Sequence, residues 1–149
     1  MSRFEALPTV AVPVMDHPSF GPLRASGSAD GHSWRWEALE LIETQCGQAD
    51  LSFAAGPDGP GRDHEHQFTA LVDELDQLTA AAVPGISSVV GECLELSRHD
   101  PWATLEWEGA HLTGKDGAFE LHYACKTWPD AMITVRFEQS RPVVVELDD

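Results

Sequence analysis

Phe119-Glu120-Leu121-His122-Tyr123-Ala124-Cys125 alternates large apolar with polar side chains, and Ile133-Thr134-Val135-Arg136-Phe137 repeats the pattern a few residues later. Successive side chains of an extended chain point to opposite faces, so both segments read as strands with one face buried and one exposed. The pattern continues on either side. Leu105 and Trp107 would face inward with Glu106 and Glu108 outward, and Val143, Val145 and Leu147 inward with Glu146 outward. Gly114-Lys115-Asp116-Gly117 supplies the positive-φ positions of a tight hairpin, while Trp128-Pro129-Asp130 and Gln139-Ser140-Arg141-Pro142 carry turn chemistry. The last third is thus expected to be an antiparallel meander of four strands.

Upstream the period changes. Phe68, Leu71, Val72, Leu75, Leu78 and Ala82 recur at i, i+3, i+4 spacing, with Asp73, Glu74, Asp76 and Gln77 on the other side. That spacing predicts one long amphipathic helix over Asp63–Ala82. Asp63 is a candidate N-cap. Pro84-Gly85 should end or kink it, because proline lacks the helical N–H. Ile86, Val89, Val90 and Cys93 then predict a shorter helix to about Leu96. Before the Gly/Pro-rich loop Gly56-Pro57-Asp58-Gly59-Pro60-Gly61, short strands are expected at Val10–Val14, Phe20–Ala25, Ser33–Glu37 and Leu51–Ala55. A turn at 26–31 should separate two of them, and Leu39–Glu43 could extend a strand or turn helical. Strands, a helix pair, then strands imply a single α+β domain over residues 1–149, with one long and one short helix on one face of an antiparallel sheet.

At 149 residues a chain buries enough surface to fold without disulfide or metal staples. Cys46, Cys93 and Cys125 are odd in number, widely spaced and in no C-x-x-C pair, which fits a reducing compartment. The N-terminal Met1-Ser2-Arg3-Phe4-Glu5-Ala6-Leu7-Pro8 has no sustained apolar run, and nothing approaches a membrane span, so a cytoplasmic location is expected.

The charge balance is the unusual feature. Asp and Glu number 25 against 9 Lys and Arg, a net charge of −16, and the excess is spread along the whole chain. Such a field repels phosphate backbones and anionic lipid surfaces, which disfavours nucleic acid and membrane partners. It raises encounter rates with a basic protein. It also serves solubility alone, and would keep the protein a monomer or small oligomer.

Asp63-His64-Glu65-His66 is the densest polar cluster. Two histidines on one helical face need i, i+3 or i+4 spacing, whereas these are i, i+2 and would diverge on a helix. A metal-dependent hydrolase built on this cluster is therefore the alternative reading, against acids and histidines decorating a helix N-terminus. There is no G-x-S-x-G elbow, no phosphate-binding glycine loop, and no local signature around any cysteine; no catalytic residue, cofactor or metal is assigned. Cys93 and Cys125 read as small core residues, and His111 and His122 as strand histidines without a reaction. Of the five tryptophans, Trp34, Trp36 and Trp107 fall in strands. Trp102 and Trp128 stand beside Pro101 and Pro129 in connections, where an aromatic ringed by acids can serve as a binding anchor. The candidate partner-binding residues are Trp102, Trp128, Asp73, Glu74, Asp76, Glu106 and Glu108.

Phe20-Gly21-Pro22-Leu23, the Trp-containing strand, the long acidic helix and the closing strand pair running into Val143-Val144-Val145-Glu146-Leu147-Asp148-Asp149 together resemble small acidic bacterial α+β proteins of the toxin-immunity type. The resemblance implies a non-enzymatic inhibitor that neutralises a cationic toxin or effector enzyme by masking its active site. A third expectation, from the same absence of catalytic motifs, is a scaffolding module.

Overall fold

The structure, a computed structural model, describes residues 13–26, 34–91, 96–97 and 99–148. The expected strand positions Val10 and Val12, the turn at 27–31 and Cys93 lie outside them. Among the described residues nine strands form one sheet: β1 (Val14–His17), β2 (Gly21–Ser26), β3 (Trp34–Ala38), β4 (Ile42–Thr44), β5 (Gly47–Ala55), β6 (Leu105–Lys115), β7 (Ala118–Cys125), β8 (Trp128–Glu138) and β9 (Arg141–Asp148). The order is β1-β2-β3-β5-β6-β7-β8-β9, with β4 paired to β5 as a hairpin arm. The α+β class and the four-strand closing meander are as the sequence predicts.

One seam is different in kind. β5 and β6 pair in parallel, Asp50 opposite Gly109 and Ser52 opposite His111, whereas every other pairing is antiparallel. Parallel neighbours need a crossover, and the helices supply it. At Gly109 a Cβ would stand 1.9 Å from the Asp50 carbonyl oxygen, so only glycine lets the two backbones approach here. The adjoining register shift leaves Glu108 as an extra residue between the Trp107 and Gly109 pairs. This bulge moves the inward face from odd to even positions, so Leu105 and Trp107 are followed into the core by Ala110 and Leu112.

The long helix is divided at a place the sequence does not suggest. Helix α1 spans Arg62–Asp73 and α2 spans Leu75–Val90, with Glu74 out of helical geometry between them. Their buried residues, His64, Gln67 and Leu71, then Leu75, Leu78, Ala82, Ile86 and Val90, continue one stripe through the break. Periodicity therefore cannot reveal it. The break lets α1 cover β6 while α2 covers β9. Pro84, expected to end or kink the helix, sits inside α2 on its exposed side, where water can take the carbonyl that the ring leaves unpaired. Beside it, a Cβ on Gly85 would come 2.9 Å from Val145 Cγ2; the bare backbone seats α2 against β9.

The core lies between the helices and the inner sheet face, and includes Leu23, Trp36, Phe53, Leu71, Ile86, Leu105, Tyr123, Val135 and Phe137. Tyr123 Oη and Thr79 Oγ1 meet at 2.8 Å within it, and burial pushes the phenol pKa well up. Val143 departs from the expected inward face. A register shift in β8–β9 leaves it between residues paired to Arg136 and Phe137, and it is exposed.

Three polar side chains tie loops to this frame. Gln67 donates through Nε2 to the carbonyls of Lys115 and Ala118 and accepts through Oε1 from the N–H groups of Thr113 and Gly114, closing the β6–β7 hairpin against α1. His17 accepts from the Ser19 and Phe20 N–H groups through Nδ1, and its Nε2 lies 3.1 Å from the Pro60 carbonyl. His64 accepts from Gly61 N–H through Nδ1, and its Nε2 lies 2.7 Å from the Ala54 carbonyl. Gly61, not Asp63, is the N-cap of α1, and His64 at the third helical position reaches back to it.

Candidate functional site

A cleft of about 630 Å³ opens where the β4–β5 hairpin, the start of α2 and the start of β6 meet. Trp102 enters it from a 3-10 turn over Pro101–Ala103, which the proline fixes just ahead of β6. Its indole N–H donates to Asp76 Oδ1 at 2.8 Å. Glu106 and the bulged Glu108 line the same wall, and Leu41, Cys46 and Gln48 line the hairpin side. Three carboxylates therefore share the groove with two tryptophans, Trp102 and Trp107, and no Lys or Arg is among its lining residues. Cys46 feels the consequence: burial first, then Asp76 and Asp73, push its thiol pKa up, which favours the thiol over the thiolate.

Of the residues singled out in the sequence, Trp102, Asp76, Glu106 and Glu108 are brought together here. Asp73 lines a shallower neighbouring depression with Glu43 and Phe68, bordered by Gln45, whose amide reaches Asp73 at 3.5 Å. Glu74 occupies the helix break, and Trp128 opens β8 opposite Cys125; neither lines the groove. Leu41, Gln45, Cys46 and Gln48 have no signal in the sequence, because only the hairpin's fold-back brings them to Trp102.

A second cleft, about 360 Å³, lies on the sheet face turned away from the helices, lined by Arg24, Arg35, Glu37, Asp50, Ser52 and His122 among others. Here a serine and a histidine do meet, which their positions in sequence hide: Ser52 Oγ is 2.7 Å from His111 Nδ1 across the parallel seam, and Arg35 Nη2 donates to the same oxygen at 3.2 Å. Burial, then the nearby Arg35 guanidinium, holds the His111 pKa below its usual value, while Glu120 opposes the shift.

The Asp63-His64-Glu65-His66 cluster does not converge. His64 is buried with both ring nitrogens on backbone groups, His66 is exposed, and Glu65 accepts a short hydrogen bond from Ser19 Oγ. Among the described residues no three His, Cys, Asp or Glu side chains are grouped to hold a metal ion, and no helix is long and apolar enough to cross a membrane. No protein-family model, curated protein or solved structure matches the chain.

Proposed function

We propose that this chain is a non-enzymatic acidic binding protein, an inhibitor of the immunity type, that takes a Lys- or Arg-bearing segment of a basic partner into the Trp102 groove. The observation that carries the reading is the groove's composition: Asp76, Glu106 and Glu108 beside an indole, with no lining cation. A guanidinium or ammonium on an aliphatic stem matches such a wall, gaining ion pairs from the carboxylates and a cation–π contact from the ring face. Asp76 holds the Trp102 indole in place, so less rotamer freedom is lost on binding. The chain's net charge of −16 adds long-range attraction for the same partner. Masking a cationic active site, as in a toxin or effector enzyme, is the use this chemistry serves.

Affinity purification from native cells tests the reading. A basic protein should be recovered in stoichiometric amount at low salt, released as ionic strength rises, and lost with Trp102→Ala and with Glu106→Gln/Glu108→Gln. Recovery of no such protein, or of one that binds the variants equally well, would overturn it.

A further inference from the structure

The second cleft holds the cations that the groove lacks. We propose that it binds the carboxylate or phosphate group of a small ligand that also carries hydroxyl or ammonium donors. The argument begins with register. Arg24, Glu37, Ser52, His111, Glu120 and Arg136 are directly paired in turn across β2, β3, β5, β6, β7 and β8, so one polar row crosses the outer face of the sheet. Only seven Lys or Arg residues lie among the described positions, and three of them, Arg24, Arg35 and Arg136, stand on this face. Where the rest of the molecule repels anions, two guanidiniums and the His122 imidazole line a single cleft.

The two arginines are aimed but not saturated. Both approach Glu37, Arg24 at 3.9 Å and Arg35 at 3.6 Å, and both side chains remain about half exposed, at 54% and 53%. Hydrogen-bonded ion pairs close to about 2.7–2.9 Å, so these contacts orient the guanidiniums while leaving N–H groups for an oxyanion. Arg35 is further fixed by its bond to Ser52, which His111 holds from the other side. Glu37 and Asp50 line the cleft as well. They repel a bare anion and accept from hydroxyl or ammonium groups, which is why the ligand must offer both. The volume suits a ligand of a few to a dozen heavy atoms.

Amide-resolved NMR titration decides the matter, with inorganic phosphate, glycerol 3-phosphate and gluconate as probes and sodium chloride at matched ionic strength as the control for general screening. Saturable shifts are expected at the amides of residues 24, 35, 52 and 122, with glycerol 3-phosphate or gluconate binding at least several-fold more tightly than phosphate. The stronger of those two identifies the acid group. Arg24→Gln and Arg35→Gln should each weaken binding about tenfold, the effect of losing one charge-assisted hydrogen bond, and the same spectra report whether each variant is folded. Trp102→Ala should leave these titrations unchanged, which keeps a failure here separate from a failure of the groove. Shifts that do not saturate, that sodium chloride reproduces, or that persist with the same affinity in the Arg24→Gln/Arg35→Gln variant would overturn the proposal.

Discussion

The Trp102 groove and the outer-face cleft both draw on β5, yet the groove gathers carboxylates without a cation and the cleft gathers guanidiniums. β6 gives Glu106 and Glu108 to the groove, while β5 gives Asp50 and Ser52 to the cleft and Gln48 to the groove. A net charge of −16 says nothing of this division. Overall charge describes what approaches from a distance, and local pairing decides what can be held.

Since both clefts depend on the parallel seam, the strongest way to break the contrast is to break the seam. Gly109→Ala forces a Cβ into the Asp50 carbonyl, and the backbones must separate. We expect a loss of more than about 3 kcal/mol in urea unfolding, or failure to fold, with both clefts lost together. Unchanged stability would mean that the seam is not this close. Gln67→Leu comes next. It keeps the volume but removes four hydrogen bonds to the β6–β7 hairpin, with Thr113 Oγ1 still donating to the Ala118 carbonyl, so about 2–4 kcal/mol should be lost by the same measurement.

The next test sharpens the contrast instead of destroying it. Glu106→Gln/Glu108→Gln should reduce affinity for an Arg-rich peptide about tenfold at low salt and much less at high salt, measured by calorimetry, while leaving the oxyanion titration untouched. A similar loss at both ionic strengths would remove the electrostatic basis of the groove. The smallest effect concerns pH. His111 has a lowered pKa in the fold, so below the ordinary imidazole value of 6.5 the unfolded chain takes up a proton that the folded chain resists. Stability should therefore fall as pH drops from 6.5 toward the lower folded value, and His111→Gln should flatten that part of the profile in urea titrations at stepped pH. A slope that the substitution leaves unaltered would place the titration elsewhere.

How much of this was legible beforehand depends on which interactions are local. Alternation within Phe119–Cys125 and Ile133–Phe137 needs only neighbouring residues, so the closing meander could be read directly. The helix break at Glu74 could not, because the buried stripe runs on through it. Val143 leaves the expected face for a related reason: a bulge shifts the face without changing the residue pattern. Trp102, Asp76, Glu106 and Glu108 stand out in the sequence as aromatic and acidic residues, but their meeting in one groove depends on where the 3-10 turn and the α2 start are carried. The pairing of Ser52 with His111 spans 59 positions and leaves no local mark at all.

That same separation bears on how the molecule assembles. Each antiparallel pair joins strands adjacent along the chain or, for β3 and β5, separated only by the short β4 arm, whereas β5 meets β6 only after the whole helical crossover has been drawn into a loop. Loop-closure entropy is lost before the seam's hydrogen bonds can compensate, so the meanders should organise early and dock late. Substitutions at Ser52 and His111 are accordingly expected to give lower φ-values than substitutions in the β7–β8 hairpin. The two clefts would then come into being in one final event, and a nascent or partly folded chain would possess neither.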